Sequence, residues 1–241
     1  MIALQLYTLR DALSANFEGI IRQVAAFGYP AVETAGMYGE SPQKAKALFD
    51  ELGLRVSSAH SPLPIGDNKQ KVLDTAAALG TDTLVFPWIA PETFHSLESI
   101  QQLCEKLNEG DAVARENGLR LAYHNHDFEL RRLPDGTLPL LRMLDFLSPT
   151  VLFEVDTYWV QTGGSDIIEV LRQLGDRAPF LHIKDGPAVV GEAMTAVGDG
   201  VIDVPAIIAA HKADWLIVEA DRIDGDALAA VEKSFRYLSN L

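Results

Sequence analysis

The chain is 241 residues long, 48% hydrophobic and 22% charged, which suits a globular protein of one large domain or two small ones. Its 34 acidic residues outweigh 20 basic ones, and a net charge of −14 repels phosphate backbones and anionic membranes, so neither nucleic acid nor a membrane is an expected partner. The single cysteine, Cys104, rules out an intrachain disulfide and a cysteine-built zinc cluster, and reads as a small core residue in a helix.

From Met1 the chain runs directly into "IALQLY" (2–7), with no basic leader before it and no cleavage pattern after it. No apolar run approaches the ~18 residues that span a bilayer, and the expected location is the cytoplasm. Next, "NFEGIIRQVAAFG" (16–28) sets Phe17, Ile20, Ile21, Val24 and Phe27 at helical spacing and stops at Gly28. "AVETA" (31–35) is a second short run. "SPQKAKALFDELG" (41–53) follows as a helix with Ser41 as N-cap, Pro42 at the first helical position and Gly53 at its end. Then come "RVSSAH" (55–60), a helix over 68–80, "TLVFPW" (83–88) and a long helix over 96–118. After it stand "LRLAYH" (119–124), a helix over 137–147, "VLFEVD" (151–156) and a helix over 165–175. "FLHIK" (180–184), a helix over 204–212, "WLIVEA" (215–220) and a helix over 226–241 complete the chain.

Short runs alternating with helical segments imply parallel strands joined by helical crossovers. Eight such units in this length point to a closed α/β barrel, the (β/α)8 or TIM-barrel architecture. A doubly wound open sheet is the alternative, but no G-x-G-x-x-G follows the first strand as a dinucleotide-binding version would show. With no linker or low-complexity stretch, residues 1–241 read as one domain.

Barrels of this kind do their chemistry at the C-terminal ends of the strands. Those ends carry Tyr7, Glu33, His60, Trp88, His124 with His126, Asp156, His182 with Lys184, and Glu219. Side chains two apart on a strand share a face, which groups His124 with His126, Glu154 with Asp156, and His182 with Lys184. His124, Asp156, His182 and Glu219 then form a set of two imidazoles and two carboxylates that converges across the mouth. Such donors suit one divalent metal, Mn²⁺ or Zn²⁺ first, then Co²⁺ or Fe²⁺, with Mg²⁺ less suited because it prefers oxygen. Taken singly, His182 reads equally as a satisfied core histidine and Asp156 as a helix cap.

The series "LQLYTLRD" (4–11), "GYPAVETAGMYG" (28–39), "SAH" (58–60), "YHNHDFE" (123–129), "FEVDTYWVQTGG" (153–164), "LHIKDG" (181–186), "VGDGVID" (197–203) and "LIVEAD" (216–221) resembles the xylose isomerase-like TIM barrels, the sugar phosphate isomerase/epimerase superfamily. That group includes sugar epimerases, hydroxypyruvate isomerase, inosose dehydratase and apurinic endonucleases. The resemblance implies a metal held after strands five to eight by Glu, Asp, His and Glu, which here fall on His124, Asp156, His182 and Glu219. His124 departs from that pattern, which puts a two-glutamate proton transfer in doubt. Trp159 stands where many relatives have a second histidine.

The expected activity is that of a metal-dependent isomerase or epimerase acting on a keto-sugar or small hydroxy-carbonyl compound through an enediolate. A lyase or dehydratase on the same metal site is the alternative, and a barrel that binds without chemistry is the third reading. Glu219 and His126 are the candidate proton carriers. Lys184 either acts as an acid/base, hydrogen-bonds the oxyanion, or pairs with Asp185 or Glu154. Tyr7, Trp88 and Trp159 are expected as apolar walls around a carbohydrate substrate, with Glu33, His60 and Glu154 as further contacts. Gly198 and Gly200 suggest a tight turn that could cradle phosphate, but few basic residues flank it, and an unphosphorylated substrate is favoured. Apolar surface on the outer helices is compatible with a homodimer.

Overall fold

Each of the eight short runs forms a strand. In the computed structural model, which describes residues 1–241, these are β1 (Ile2–Gln5), β2 (Ala31–Ala35), β3 (Arg55–His60), β4 (Thr83–Phe86), β5 (Arg120–His124), β6 (Leu152–Asp156), β7 (Phe180–Ile183) and β8 (Trp215–Val218). Neighbours pair in parallel and β8 returns to β1, so the sheet closes into a (β/α)8 barrel. The crossovers are α1 (Arg10–Ala26), α2 (Pro42–Glu51), α3 (Lys69–Leu79), α4 (Leu97–Glu116), α5 (Pro139–Arg142), α6 (Thr157–Thr162), α7 (Ile167–Leu174) and α8 (Val204–Ala210), and α9 (Ala227–Leu238) follows the last strand. No helix is long and apolar enough to cross a membrane.

The departures from expectation have local causes. The first run stops as a strand at Gln5, because its side chain accepts the Tyr7 N–H and starts a 3-10 turn over Leu6–Leu9. Helix α1 begins at Arg10 but breaks at Asn16, whose Oδ1 accepts the Gly19 N–H, so the expected start at 16 is a true interior boundary. The helix expected over 137–147 is only α5 and one 3-10 turn, Met143–Asp145. Helix α6 was not among the expected helices, although Asp156 reads equally as a turn or cap residue. Asp156 caps it, accepting the Trp159 N–H at 3.0 Å.

Two cores follow from the alternation of the strands. Fifty-four buried residues fill the space between strands and helices. A smaller cluster of Ala3, Ala31, Val85, Ala122, Phe180, Trp215 and Ile217 plugs the inside of the barrel, with Leu152 packed against it. These plug residues sit on the faces that carry Gln5, Glu33, His124, Asp156, His182 and Glu219 two or four residues further on. The strand register is sheared around the ring: His124 is level with Glu154, but Asp156 is level with His182, and His182 with Ile217.

Candidate metal centre

Directly above the apolar plug the barrel interior turns polar. His124, Asp156, His182 and Glu219 each offer one donor atom, and these atoms all lie within 4.8 Å of one another. All four side chains are buried. His124 Nε2 is 3.8 Å from Asp156 Oδ2, and His182 Nδ1 is 2.7 Å from Glu219 Oε2. Asp156 uses Oδ1 as the cap of α6 and turns Oδ2 to the site, where Lys184 Nζ lies 2.9 Å away.

The electrostatics suit a cation. Burial pushes the His124 pKa well down, helped by His182 and His126, so His124 is a neutral imidazole, the form that ligates. Burial would raise Glu219, but Lys184 and His182 outweigh it and hold the group as a carboxylate. Burial raises Asp156 to about 6 against the pull of Lys184. His182 resists its burial because Glu154, Glu33 and Glu219 surround it, and it stays protonated. A metal would displace that proton. Two imidazoles and two carboxylates with donor atoms within 4.8 Å of one another fit one divalent cation of the zinc or manganese kind.

The other expected residues separate into three groups. Tyr7, His60, Trp88, His124, His126 and Glu219 line one cavity of about 580 Å³ at the mouth. Glu33 and Glu154 do not reach it; both are fully buried beneath the histidines. Trp159, in α6, stands next to the site, its ring 5.4 Å from Lys184 Nζ and 6.3 Å from the His126 ring. Glu154 faces inward one pleat lower than Asp156, below the cavity.

Lys184 is 1% exposed, and its partners are neither Asp185 nor Glu154. Nζ lies 2.9 Å from Asp156, 2.8 Å from Glu219 and 2.6 Å from Asp221. Burial disfavours the charge, but these carboxylates overrule it and the pKa rises well above the ordinary lysine value. The three carboxylates favour the charged form of Lys184 and fix it on the acidic side of the site. His126 is the opposite case. Burial and the Lys184 charge lower its pKa to about 3, so it is an unprotonated imidazole beside the cavity, stacked on Phe128.

Sequence reasoning missed several residues. Asp221 lines the cavity and anchors Lys184. Asn125 Oδ1 accepts the Asp156 N–H at 3.0 Å and fixes the end of β6. Glu129 accepts from Tyr123 Oη and from the His126 N–H, and burial raises its pKa to about 8. The polar cluster "HNHDFE" was the signal for these two. The glycine turn after β7 is no phosphate cradle, because Asp185 already fills it. Its carboxylate accepts N–H groups from Gly186, Gly198, Gly200 and Ile202 at 2.8–3.1 Å. A Cβ at Gly200 would meet Asp185 Oδ1 at 2.1 Å, so no side chain fits there. The same loop supports the segment after β8, with Met194 donating its N–H to Arg222 O and receiving the Asp221 N–H on sulfur.

A barrel of this fold has many structural counterparts. A sugar phosphate isomerase/epimerase from Parabacteroides distasonis superposes with a TM-score of 0.81 at 26% identity, covering 98% of this chain and 92% of that one. The IolI protein, solved with a bound zinc atom, gives a TM-score of 0.71 at 17% identity over 99% of this chain and 96% of that one. In sequence, the inosose dehydratase of Geobacillus kaustophilus is 23% identical over 247 aligned positions, covering 84% of this chain and 79% of that protein. Residues 21–241 match the xylose isomerase-like TIM barrel family, and the chain belongs to it.

Proposed function

We propose that this protein is a divalent-metal-dependent lyase that removes water from a cyclic keto-polyol, with His124, Asp156, His182 and Glu219 holding the metal. The observation that carries this reading is the distribution of acid and base around the cavity. Both carboxylates that line it, Glu219 and Asp221, follow β8, and no carboxylate faces them from the side of β5. The strand-five position carries His124, and next to it His126 offers a neutral imidazole. That set lacks the opposed carboxylate pair of a two-base epimerisation and leaves His126, an unprotonated imidazole at the cavity wall, as the single group placed to take and return a proton.

When bound, the cation supplies Lewis acidity to a substrate carbonyl and so acidifies the neighbouring C–H. His126 accepts that proton on its free ring nitrogen. It then returns the proton to the hydroxyl on the next carbon, which leaves as water while the C=C forms. Lys184 holds Asp156 and Glu219 in place. Tyr7 and Trp88 offer ring faces to the C–H surface of the substrate, and His60 a polar edge. The similarity to inosose dehydratases and to a zinc-carrying neighbour supports this reading.

Isomerisation or epimerisation is the second reading, favoured by the isomerase/epimerase neighbour at 26% identity. The two separate in one experiment. The Mn²⁺- or Zn²⁺-loaded protein is mixed with an inosose in D₂O. A conjugated, UV-absorbing enone that does not form with His126→Ala supports the lyase. Deuterium exchange next to the carbonyl without that absorbance supports the isomerase and sinks the dehydration.

A further inference from the structure

A second cluster of ligand-type side chains lies one layer deeper. His60, His124, Glu154 and His182 also bring one donor atom each within 4.8 Å of the others. Two of the four are shared with the upper cluster, and their ring nitrogens show how the sharing works. His182 turns Nδ1 to Glu219 at 2.7 Å, and Nε2 to Glu33 at 2.7 Å and Glu154 at 3.0 Å. His124 turns Nε2 towards Asp156 and Nδ1 to Glu154 at 3.0 Å. Each ring therefore stands between an upper and a lower carboxylate.

A neutral imidazole has one N–H and one lone pair, so it coordinates on one side and donates on the other. Ligating two cations at once requires loss of the second ring proton as well. The upper side is the accessible one, since His124 and Glu219 line the cavity, while of the lower residues His60 reaches it and both carboxylates, Glu33 and Glu154, are fully buried. Glu154 Oε2 lies within 3.0 Å of nitrogens on three rings, those of His60, His124 and His182. Glu33 is itself clamped by Gln5 Nε2 and Ser58 Oγ.

We infer that this lower layer is not a second metal position but the support of the first: Glu154, assisted by Glu33, is a positioning residue that sets both ligand rings. It holds the N–H of His124 on Nδ1 and, beside Glu33, which takes the hydrogen bond, that of His182 on Nε2, and so presents His124 Nε2 and His182 Nδ1 to the cation. A carboxylate behind a ligating histidine is a common way to fix its tautomer and raise its basicity. The inference rests on the proposed metal set. The feature that favours a second cation instead is Glu154 Oε1, which is buried without a partner.

The test is a Zn²⁺ titration of metal-free protein against a competing chelator, with ¹⁵N-histidine spectra of the Zn²⁺-loaded form. The expected result is one metal per chain, with the ring protons of His124 and His182 on the nitrogens named above. Glu154→Gln should still bind one metal but roughly 10–100-fold more weakly, with both tautomer signals altered. A purely structural Glu154 would instead lower the melting temperature of the metal-free protein and leave tautomers and affinity alone, which overturns the inference. Two metals per chain in the unmodified protein, one of them lost with Glu154→Gln, overturns it too. Should Glu154→Gln not fold, Glu33→Gln must show the same weakening at His182, or the inference fails. No metal in the unmodified protein would sink the proposed function itself, a result distinct from a bound metal indifferent to Glu154.

Discussion

At the lower end of the barrel the strands turn Ala3, Ala31, Val85, Ala122, Phe180 and Ile217 inward. Two residues further along, the same strands turn in Gln5, Glu33, His124, His182 and Glu219. Both sets of side chains are buried, the upper one bordering the cavity, yet one consists of methyl and phenyl groups and the other of charges held against each other. The boundary is one step of the β-pleat. Burial by itself thus says little about purpose here: the lower residues are buried to exclude water, the upper ones to make their charges strong. The lower end should therefore govern stability and the upper end metal binding and turnover.

The largest expected effect lies at the upper end. His182→Ala should remove metal binding and abolish turnover, while the far-ultraviolet circular dichroism spectrum stays that of the parent protein. Loss of folding instead would mean that the charged layer is structural and that the two ends do not differ as argued. Phe180→Ala, one pleat step below on the same strand, should cost about 3–5 kcal/mol in denaturant unfolding through the cavity it leaves. Its metal affinity should not change, and a parallel loss of metal would erase the distinction between the ends.

Glu129 offers a graded test at the upper rim. Its folded pKa of about 8 lies above the ordinary 4.5, so between these values the folded state holds a proton that the unfolded state has released. Stability from this group is complete below about pH 4.5 and falls as pH rises towards 8. Comparing unfolding free energies at several pH values in this window should show that decline, and Glu129→Gln should flatten it. An unchanged slope would remove Glu129 as its cause. Trp88→Ala should have the smallest effect on the fold, within about 0.5 kcal/mol, because the residue is 55% exposed. A several-fold rise in KM with kcat retained is expected from lost packing against substrate, and an unchanged KM would remove Trp88 from the binding surface.

The strands were legible because each is a short apolar run with a polar terminus, and the convergence of His124, Asp156, His182 and Glu219 because those termini bear the four side chains. Depth was not legible. Glu154 obeys the same alternation as Asp156 one pleat step above it, and only the shear of the closed sheet sets it level with both His124 and Phe180. The sequence around Asp156 also hid a helix, because an aspartate at a strand end reads equally as ligand and as cap, and here one oxygen caps while the other faces the site. The position of Lys184 beside the carboxylates was visible, but not its third partner Asp221, which follows β8 and meets it only in space.

The loop after β7 needs no visitor to take its shape. Its amides close on Asp185, a counter-charge belonging to the chain, where other loops of this kind wait for an anion from solution. Through Met194 the same loop supports Asp221, and through Asp221 it holds Lys184. The entropy of ordering this rim is thus spent when the protein folds, so substrate affinity is not reduced by having to organise it later.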